Sequence, residues 1–496
     1  MLRVSEIKLP LDHGPDALAR ALLKKLRIGA NALTSFAVFK RGIDARKKSA
    51  ILYAYIVDAE VADEAGVLAR AKNDPHIART PDLNYPGATR APSTPFVRPV
   101  VIGAGPCGLF AALILAQAGY RPIILERGKV VRERTKDTWG LWRKSVLDPE
   151  SNVQFGEGGA GTFSDGKLYS QIKDPRHLGR KVLTEFVNAG APDDIRVADL
   201  DIDEARAVQS VVLADGGRIA ANHVVLAPGH SARDVFQMLY DRGVDIEAKP
   251  FSIGFRIEHP QSIIDRARYG KTIPELGAAE YRLVHHAANG RSVYSFCMCP
   301  GGTVVAATSE EGRVATNGMS QYSRNERNAN AGIVVAITPA DYPGHVLAGI
   351  DLQRTWEARA FDAGGRTYKA PAQRVGDFLA RRPSTALGAV VPSYKPGVRL
   401  TDLSDCLPDY AIEAIRDAIP AFARSIPGFA MEDAMLTGVE TRTSSPIRIR
   451  RGAEFESLNT KGLYPAGEGA GFAGGILSAA VDGIKVAEAV AQRIAD

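Results

Sequence analysis

The feature that most constrains the fold of this chain is the stretch Val100–Gly128, which reads VVIGAGPCGLFAALILAQAGYRPIILERG. It opens with three β-branched apolar residues, as expected of a strand that is buried on both faces. The pattern Gly103-x-Gly105-x-x-Gly108 follows. An apolar helical segment, a second apolar run and an acid at Glu126 come next. Strand, tight turn, helix, strand and terminal acid, in this order, predict a βαβ unit that binds a dinucleotide.

Each residue of the fingerprint has its own physical reason. Gly103 allows the sharp turn, Gly105 lets a pyrophosphate approach the backbone, and Gly108 lets helix and strand pack closely. The start of the helix offers unpaired N–H groups and the positive end of its dipole to the phosphates. Glu126 lies 18 residues after Gly108, where a carboxylate accepts hydrogen bonds from ribose hydroxyls.

The composition narrows the class of protein. A chain of 496 residues is expected to form two or three domains. Its 62 Lys and Arg residues against 56 Asp and Glu residues leave a net charge of +6, too small for this length to indicate nucleic acid binding. The four cysteines include no CxxC pair, which argues against a structural metal and favours a reducing compartment. With no apolar leader and no apolar segment of bilayer length, a soluble cytoplasmic protein without membrane contact is expected.

Changes of texture along the sequence indicate domain boundaries. Six prolines between residues 75 and 99 indicate a linker or an extended chain, and residues 250–429 contain short strands and many turns. The predicted organisation is a small N-terminal α/β domain over 1–80, a proline-rich linker over 81–97, a nucleotide-binding domain in two parts over 98–249 and 430–496, and an inserted substrate domain over 250–429.

A run of basic residues, Lys40–Lys48, lies between the predicted strands Phe36–Phe39 and Ala50–Val57. It could bind phosphate or nucleic acid. A solvated hairpin loop is the favoured interpretation, because the run has none of the aromatic interleaving expected of a single-strand binder.

Two further glycine-rich segments follow the fingerprint. The first covers residues 152–168 and suits a loop pressed against a planar ligand, although a flexible surface loop is the alternative. The second begins at Gly467-Glu468, after a short strand, and leads into a helix predicted over Leu477–Ile494. Strand, acid-bearing turn and helix therefore occur a second time near the end of the chain.

Three of these features together resemble a known family. The fingerprint ending in Glu126-Arg127-Gly128, the strand end Ala227-Pro228-Gly229 and Gly467-Glu468 before a final helix are similar to the FAD domain of the glutathione-reductase-type flavoproteins. More narrowly, the chain resembles the uncharacterised bacterial FAD-dependent dehydrogenases that carry an extra N-terminal α/β domain. The motifs of this closer match are Lys40–Lys48, Gly156–Leu168, Gly229–Asp234, Cys297–Gly302, Asn317–Ser320 and Glu440–Pro446.

The resemblance implies an α/β fold with a Rossmann-like FAD-binding domain, an inserted mixed α+β substrate domain and a small N-terminal α/β domain. It also implies FAD as the cofactor and an oxidoreductase acting on a small-molecule substrate. The residues expected to bind FAD are Gly103, Gly105, Pro106, Cys107, Gly108, Glu126, Arg127, Gly158, Gly159, Gly161, Thr162, Gly229, Gly467, Glu468, Gly474, Gly475 and Ile476.

Three residues are candidates for catalysis, each with a structural alternative. Arg442 could hold an anionic substrate or the charge of the reduced flavin, or it could form a structural salt bridge. Cys299 shares one face of a strand with Cys297, where the two could act as a redox dithiol or as small buried hydrophobic residues. His230 could be an acid or base, or a structural histidine. The basic side chains that alternate along a later strand are interpreted as solvent-facing: Arg448, Arg450 and Arg451.

The sequence supports three hypotheses about function. The leading one is an FAD-dependent oxidoreductase, a dehydrogenase that transfers a hydride between flavin and an unidentified organic substrate. Because only one dinucleotide fingerprint is present, NADH or NADPH would have to dock in the substrate domain. The alternatives are a flavin-dependent RNA-modifying or RNA-binding protein that uses residues 1–80 for docking, and a non-catalytic flavin redox sensor.

Overall fold

The computed structural model describes residues 1–163, 174–188, 197–271 and 273–496 as a mixed α/β protein. The last residues of the predicted glycine-rich loop, 164–168, lie outside the described residues. The chain forms two compact units. The small unit consists of Met1–Asn84 and Ile264–Ala279, and the large unit consists of Tyr85–Ile263 and Glu280–Asp496.

The small unit contains an antiparallel sheet with one face covered by helices. Its strands are β1 (Leu2–Pro10), β2 (Leu33–Asp44), β3 (Leu52–Val61) and β4 (Ile77–Arg79), in the order β2-β3-β1-β4. Its helices are α1 (Ala17–Leu26) and α2 (Glu64–Arg70). The leucines spaced along one face of α1, Leu18, Leu22 and Leu26, are buried in the core against the alternate residues of β3.

Part of the basic run lies in a strand rather than in a loop. The prediction of a hairpin loop over Lys40–Lys48 is wrong for its first half, because β2 continues to Asp44. Arg41 pairs with Tyr55 across the ladder and places its guanidinium carbon 4.8 Å from the centre of the Tyr53 ring. Cross-strand contacts of this kind extend the strand beyond its apolar residues. Arg46, Lys47 and Lys48 lie in the turn and are exposed, as predicted.

The large unit contains the remaining elements. Its strands are β5 (Val100–Ile102), β6 (Ile123–Leu125), β7 (Val197–Ile202), β8 (Val208–Leu213), β9 (Arg218–Ala220), β10 (Val224–Leu226), β11 (Ile246–Ala248), β12 (Phe251–Pro260), β13 (Val284–His286), β14 (Ser292–Cys299), β15 (Gly302–Ala306), β16 (Thr316–Ser320), β17 (Asn328–Ile337), β18 (Ala370–Arg374), β19 (Val398–Leu400), β20 (Met435–Glu440), β21 (Ile447–Ile449) and β22 (Leu463–Pro465). Its helices are α3 (Pro106–Gln117), α4 (Val131–Lys144), α5 (Leu178–Asn188), α6 (Arg233–Asp241), α7 (Gln261–Tyr269, which continues into the small unit), α8 (Ala348–Ala363), α9 (Val375–Leu379), α10 (Asp409–Ala423) and α11 (Ile476–Ala495).

A parallel sheet with the strand order β22-β10-β5-β6 contains the fingerprint. Strand β5 has the bounds predicted from its apolar run, and β10 likewise covers three consecutive buried apolar residues. On one face, α3 packs against α11, and their apolar residues form a shared core that includes Phe110, Ile114, Val481 and Ile484. The first and last segments of the large unit therefore belong to one nucleotide-binding layer, with the carboxyl ends of its strands at one edge.

A second sheet of seven strands has the order β13-β14-β17-β12-β20-β18-β19. The first nine residues of β12 are all buried, so the alternation of polar and apolar residues along this strand does not reflect a solvated face. The strand lies near the middle of the sheet and is covered on both faces. Smaller sheets pair β15 with β16, β11 with β21, and β8 with both β7 and β9.

Within the part of the chain that the structure describes, no helix is long and apolar enough to cross a membrane. The same residues contain no cluster of three or more His, Cys, Asp or Glu side chains placed to hold a metal ion.

Candidate functional site

A cavity of about 610 Å³ opens at the carboxyl ends of the parallel strands. Its volume lies in the usual range for a small-molecule or cofactor site. The turns that follow β5, β6, β10 and β22 form one side of it, and residues of β14 and β16 form the other. The cavity therefore joins the nucleotide-binding layer to the second sheet of the large unit.

Most of the residues predicted to bind the cofactor line this cavity. Those on its wall are Gly103, Gly105, Pro106, Cys107, Glu126, Arg127, Gly159, Gly161, Gly229, Gly467, Glu468, Gly474, Gly475 and Ile476, together with the catalytic candidates His230 and Arg442. Those off the wall are Gly108, Gly158, Thr162 and Cys299. Residues more than 300 positions apart in the sequence thus meet at one site.

The fingerprint turn has no room for side chains. Gly103 has a φ of +99°, and a Cβ at Gly108 would lie 1.8 Å from its carbonyl oxygen. Gly108 therefore serves the close packing of α3 on β5, as predicted. It was also predicted to bind FAD, but it does not line the cavity. Burial raises the pKa of the Cys107 thiol well above its usual range, so this side chain adds no negative charge at the start of α3.

The Glu126 carboxylate lies at the centre of the nucleotide side of the cavity. Its Oε2 accepts a hydrogen bond from the Ala104 N–H at 2.7 Å. Its Oε1 accepts from the N–H groups of Gly128 and Gly156, both at 3.0 Å. A carboxylate offers about four acceptor positions, so one remains for a ribose hydroxyl. Glu126 also ties the fingerprint turn to the glycine-rich loop, a role that the sequence did not reveal.

The starts of α3 and α11 lie side by side at the cavity. A Cβ at Gly483 would lie 2.1 Å from the carbonyl oxygen of Cys107, so glycine is required where the two helices cross. A Cβ at Gly467 would lie 2.9 Å from the Cys107 Cβ. The first residues of both helices, Pro106 and Ile476, are on the cavity wall. Two sets of unpaired backbone N–H groups therefore face the same space, which is an arrangement suited to anionic groups.

Arg134 of α4 holds the glycine-rich loop in place, and sequence analysis missed it. All five of its N–H donors bond to this loop. The acceptors are the carbonyl oxygens of Asn152, Val153, Glu157 and Gly159 at 2.6–2.8 Å and the Thr162 hydroxyl at 3.0 Å. Burial lowers the pKa of Arg134 to about 10, so the group remains charged near neutral pH. Thr162 thus braces the loop behind the wall instead of lining the cavity.

The turn at Gly467-Glu468 is fixed from behind by a buried ion pair. Asp482 of α11 accepts from the Gly467 N–H at 2.8 Å and pairs with Arg451 at 2.7 Å. Arg451 also donates to the Pro465 carbonyl oxygen at 2.6 Å. The prediction that Arg451 faces solvent is wrong, because its guanidinium is 7% exposed and lies 3.7 Å from the centre of the Phe472 ring.

The catalytic candidates occupy different positions. His230 Nδ1 lies 3.5 Å from Glu468 Oε1, so two predicted residues from distant turns face each other across the cavity. Cys297 lines the cavity but Cys299 does not. The predicted shared face is wrong, because β14 shifts register between Phe296 and Cys299 and Cys297 has a φ of +45°.

Arg442 is held by a carboxylate behind the cavity wall. Its Nε and one terminal nitrogen donate to Glu357 at 2.9 and 2.8 Å, and its other terminal nitrogen donates to Ser231 and Ser309. This geometry favours the salt-bridge alternative for part of the guanidinium, and its role in catalysis stays a prediction. Helix α6 begins after Ala232 without a side-chain cap, and the Ser231 hydroxyl accepts the hydrogen bond from Arg442.

Comparisons with known proteins support a flavin site. The family models that match are "FAD-dependent protein, C-terminal domain-like" over residues 250–443, "FAD binding domain" over 97–138 and a domain of unknown function over 1–60. An uncharacterized protein of Clostridium beijerinckii is 45% identical over 530 residues, which cover 99% of this chain and 99% of that protein. The chain belongs to the family of this clostridial protein. It is a flavoprotein, with FAD as its cofactor. An oxidoreductase activity and kinship with the glutathione-reductase type stay predictions.

Solved structures show a weaker likeness to this flavoprotein. PqsL, a probable FAD-dependent monooxygenase from Pseudomonas aeruginosa, is 13% identical with a TM-score of 0.30, over 80% of this chain and 86% of that one. A salicylate hydroxylase in a substrate complex is 13% identical with a TM-score of 0.33, over 81% and 80% of the two chains. At these scores the likeness carries no argument about the site.

The residues of the flavoprotein's cavity fit FAD on the chemistry of their donors and acceptors. The free acceptor position of Glu126 suits a ribose hydroxyl, and the starts of α3 and α11 suit the pyrophosphate and the polar edge of the flavin. Gly105 leaves the surface between them open, because a Cβ placed there would meet only Gly159 Cα, at 3.8 Å.

Gly105→Ala should therefore weaken FAD binding without unfolding the flavoprotein. Gly105 has a φ of −76°, which alanine also adopts, so we expect the thermal midpoint of the apoprotein to change little. The added methyl group would stand where the pyrophosphate approaches, and we expect FAD affinity to fall by about tenfold, or 1.4 kcal/mol. Fluorescence titration of apoprotein with FAD measures this. Gly140→Ala, within α4 and off the cavity wall, is the control; equal affinities in the two variants would contradict the assignment.

Proposed function

We propose that this flavoprotein is a dehydrogenase that transfers a hydride between FAD and a small organic substrate. The observation that carries the proposal is the continuity of the cavity. Residues of the nucleotide turns line one side, and Phe296, Met298 and Met319 of the second sheet line the other. A substrate bound against these apolar side chains would face the cofactor with water excluded, as hydride transfer requires.

The residues of the chain divide the work of such a reaction. Bound FAD supplies the two-electron chemistry. Glu126 and the two helix starts would hold the cofactor, and the loop braced by Arg134 supplies part of the same cavity wall. His230 and Glu468, whose Nδ1 and Oε1 lie 3.5 Å apart on the cavity wall, form the pair that would exchange a proton with the substrate. Met298 and Met319, both less than a tenth exposed, give the substrate side an adaptable apolar wall.

The donor and the compartment belong to the same proposal. NADH or NADPH, if either reduces the flavin, would enter from the side of the second sheet, because the nucleotide side is taken up by the FAD turns. The cytoplasm is the proposed location, on the cysteine usage of the sequence. Within the described residues, the cavity wall contains three acids, Glu126, Glu280 and Glu468. With so few negative groups, the wall can accept an anionic substrate as well as a neutral one.

Anaerobic titration of the purified protein tests the proposal. We expect stoichiometric FAD and rapid bleaching of its visible absorbance by NADH, NADPH or one member of a panel of small reduced metabolites. Photoreduction in parallel shows that the flavin can be reduced at all. A folded protein that stays colourless after incubation with FAD would overturn the cofactor assignment. Slow reduction at one rate by every donor would favour the redox sensor, and a salt-sensitive RNA shift would favour the RNA-binding alternative.

A further inference from the structure

A cluster of buried charges lies directly behind the substrate side of the cavity. Its inner part, the charged trio, consists of two arginines and the glutamate between them: Arg233, Arg442 and Glu357. Their side chains are 3%, 4% and 0% exposed. Arg233 comes from the start of α6, Glu357 from α8, and Arg442 from the segment after β20. Burial alone would raise the pKa of Glu357, but the charges of Arg233 and Arg442 lower it, so the carboxylate is ionised.

The charged trio carries two positive charges and one negative charge. The two oxygens of Glu357 accept from both guanidinium groups and from the Thr441 hydroxyl, which uses the acceptor capacity of the carboxylate. The neighbouring acid, Glu310, is 26% exposed and is shared among Arg233, Arg354 and Arg313. Among the described residues, the Nε–H of Arg233 has no acceptor.

This surplus reaches the cavity through Arg442. Its terminal nitrogen donates to Ser231 at 3.2 Å and to Ser309 at 2.6 Å, and both Arg442 and Ser231 are part of the wall. A buried positive charge without a matching negative charge is unfavourable, and an anion placed beside it in a cavity of low dielectric relieves that cost. Of the three acids on the wall, Glu126 is bonded to backbone N–H groups, Glu468 faces His230, and Glu280 is exposed.

We infer that the wall at Arg442 and Ser231 is a subsite for a negatively charged group, so that the substrate is an organic anion with a carboxylate and an apolar body. The carboxylate of the substrate takes the position beside the charged trio, and its apolar body packs against Phe296 and Met298. This inference rests on the proposed function, because it assigns a substrate class to the same cavity. The other source of a negative charge is the reduced isoalloxazine ring, which is neutral in oxidised FAD.

Matched ligands test the subsite on the oxidised FAD-bound protein, in which only the added ligand can supply the anion. Benzoate and its neutral analogue benzamide are titrated while the flavin absorbance is recorded, and binding is also measured by equilibrium dialysis. We expect benzoate to bind at least about tenfold more tightly, and the difference to shrink as salt is raised. Acetate and acetamide repeat the comparison at smaller size. Equal affinities within both pairs would overturn the inference and leave the proposed function standing.

Two variants locate the effect. Arg442→Met leaves Glu357 paired with Arg233 as a neutral pair, and we expect the affinity for benzoate to fall to that for benzamide. Arg448→Met is the control. The Arg448 side chain is 41% exposed and pairs with Glu247, so its removal should leave the ratio of benzoate to benzamide affinity unchanged. Flavin content and the thermal midpoint report whether each variant is folded. If Arg442→Met does not fold, the matched ligands on the unmodified protein decide the question. Reduction by no donor, with benzoate selectivity intact, would instead count against hydride transfer.

Discussion

Arg134→Met is expected to release FAD from the protein. The side chain is fully buried and donates five hydrogen bonds to residues 152–162, so its loss leaves four backbone carbonyls and one hydroxyl of the glycine-rich loop without their donors. The Glu157 carbonyl oxygen still accepts from the Thr162 hydroxyl, and those of the other groups that cannot turn to water cost about 1–3 kcal/mol each. Methionine fills a similar space but supplies no donor, so the loop loses its defined conformation at the cavity. We expect FAD affinity to fall by about 100-fold or more and the apoprotein to be destabilised by about 3–5 kcal/mol.

The measurements are flavin content after purification, fluorescence titration of the apoprotein with FAD, and thermal unfolding. Arg132→Met is the matched control, because Arg132 lies on the exposed side of the same helix and should change neither quantity. Arg134→Lys keeps the charge but has three donors in place of the planar five, so it should lie between the two. Full FAD retention by Arg134→Met would show that the loop is not part of the cofactor site.

The parts of this fold that the sequence predicted are those fixed by local physics. The bounds of β5 follow from a short apolar run, and the position of the fingerprint turn follows from glycines that only a tight turn requires. The meeting of the fingerprint with Gly467 and Gly475 at one cavity could also be predicted, because parallel strands present their carboxyl ends at a common edge. An apolar run or a glycine at a turn can be interpreted from the sequence because its effect depends on neighbouring residues only.

The residues that support the site were not predictable, because their partners are distant in sequence. Arg134 lies in a helix rich in charged residues, and nothing in the neighbouring sequence distinguishes it from the exposed Arg132. Arg451 is the last of three basic residues that the sequence indicates to be solvent-facing. It is buried because Asp482 and Phe472 lie against it. The bulge that separates Cys297 from Cys299 depends on pairing with β17, which alternation within β14 does not reveal.

The Arg451–Asp482 pair gives the second large expected effect. Asp482→Ala leaves the Arg451 guanidinium buried without its counter-charge and the Gly467 N–H without its acceptor. Breaking a buried pair in this way costs about 3–5 kcal/mol. Because the turn that it holds carries Glu468, we also expect FAD affinity to fall by about tenfold or more. Urea unfolding of the apoprotein and FAD titration measure the two effects.

A double-mutant cycle separates the pair from its surroundings. Arg451→Met alone should also be strongly destabilising, whereas the double variant Arg451→Met with Asp482→Ala should cost clearly less than the sum, since neither charge is then left buried alone. Glu488→Ala is the control on the same helix: Glu488 pairs with Arg176, which is half exposed, and its removal should cost less than about 1 kcal/mol. Additive costs in the cycle would mean that Asp482 acts on the Gly467 turn independently of Arg451, and the ion pair would then have no part in shaping the flavin site.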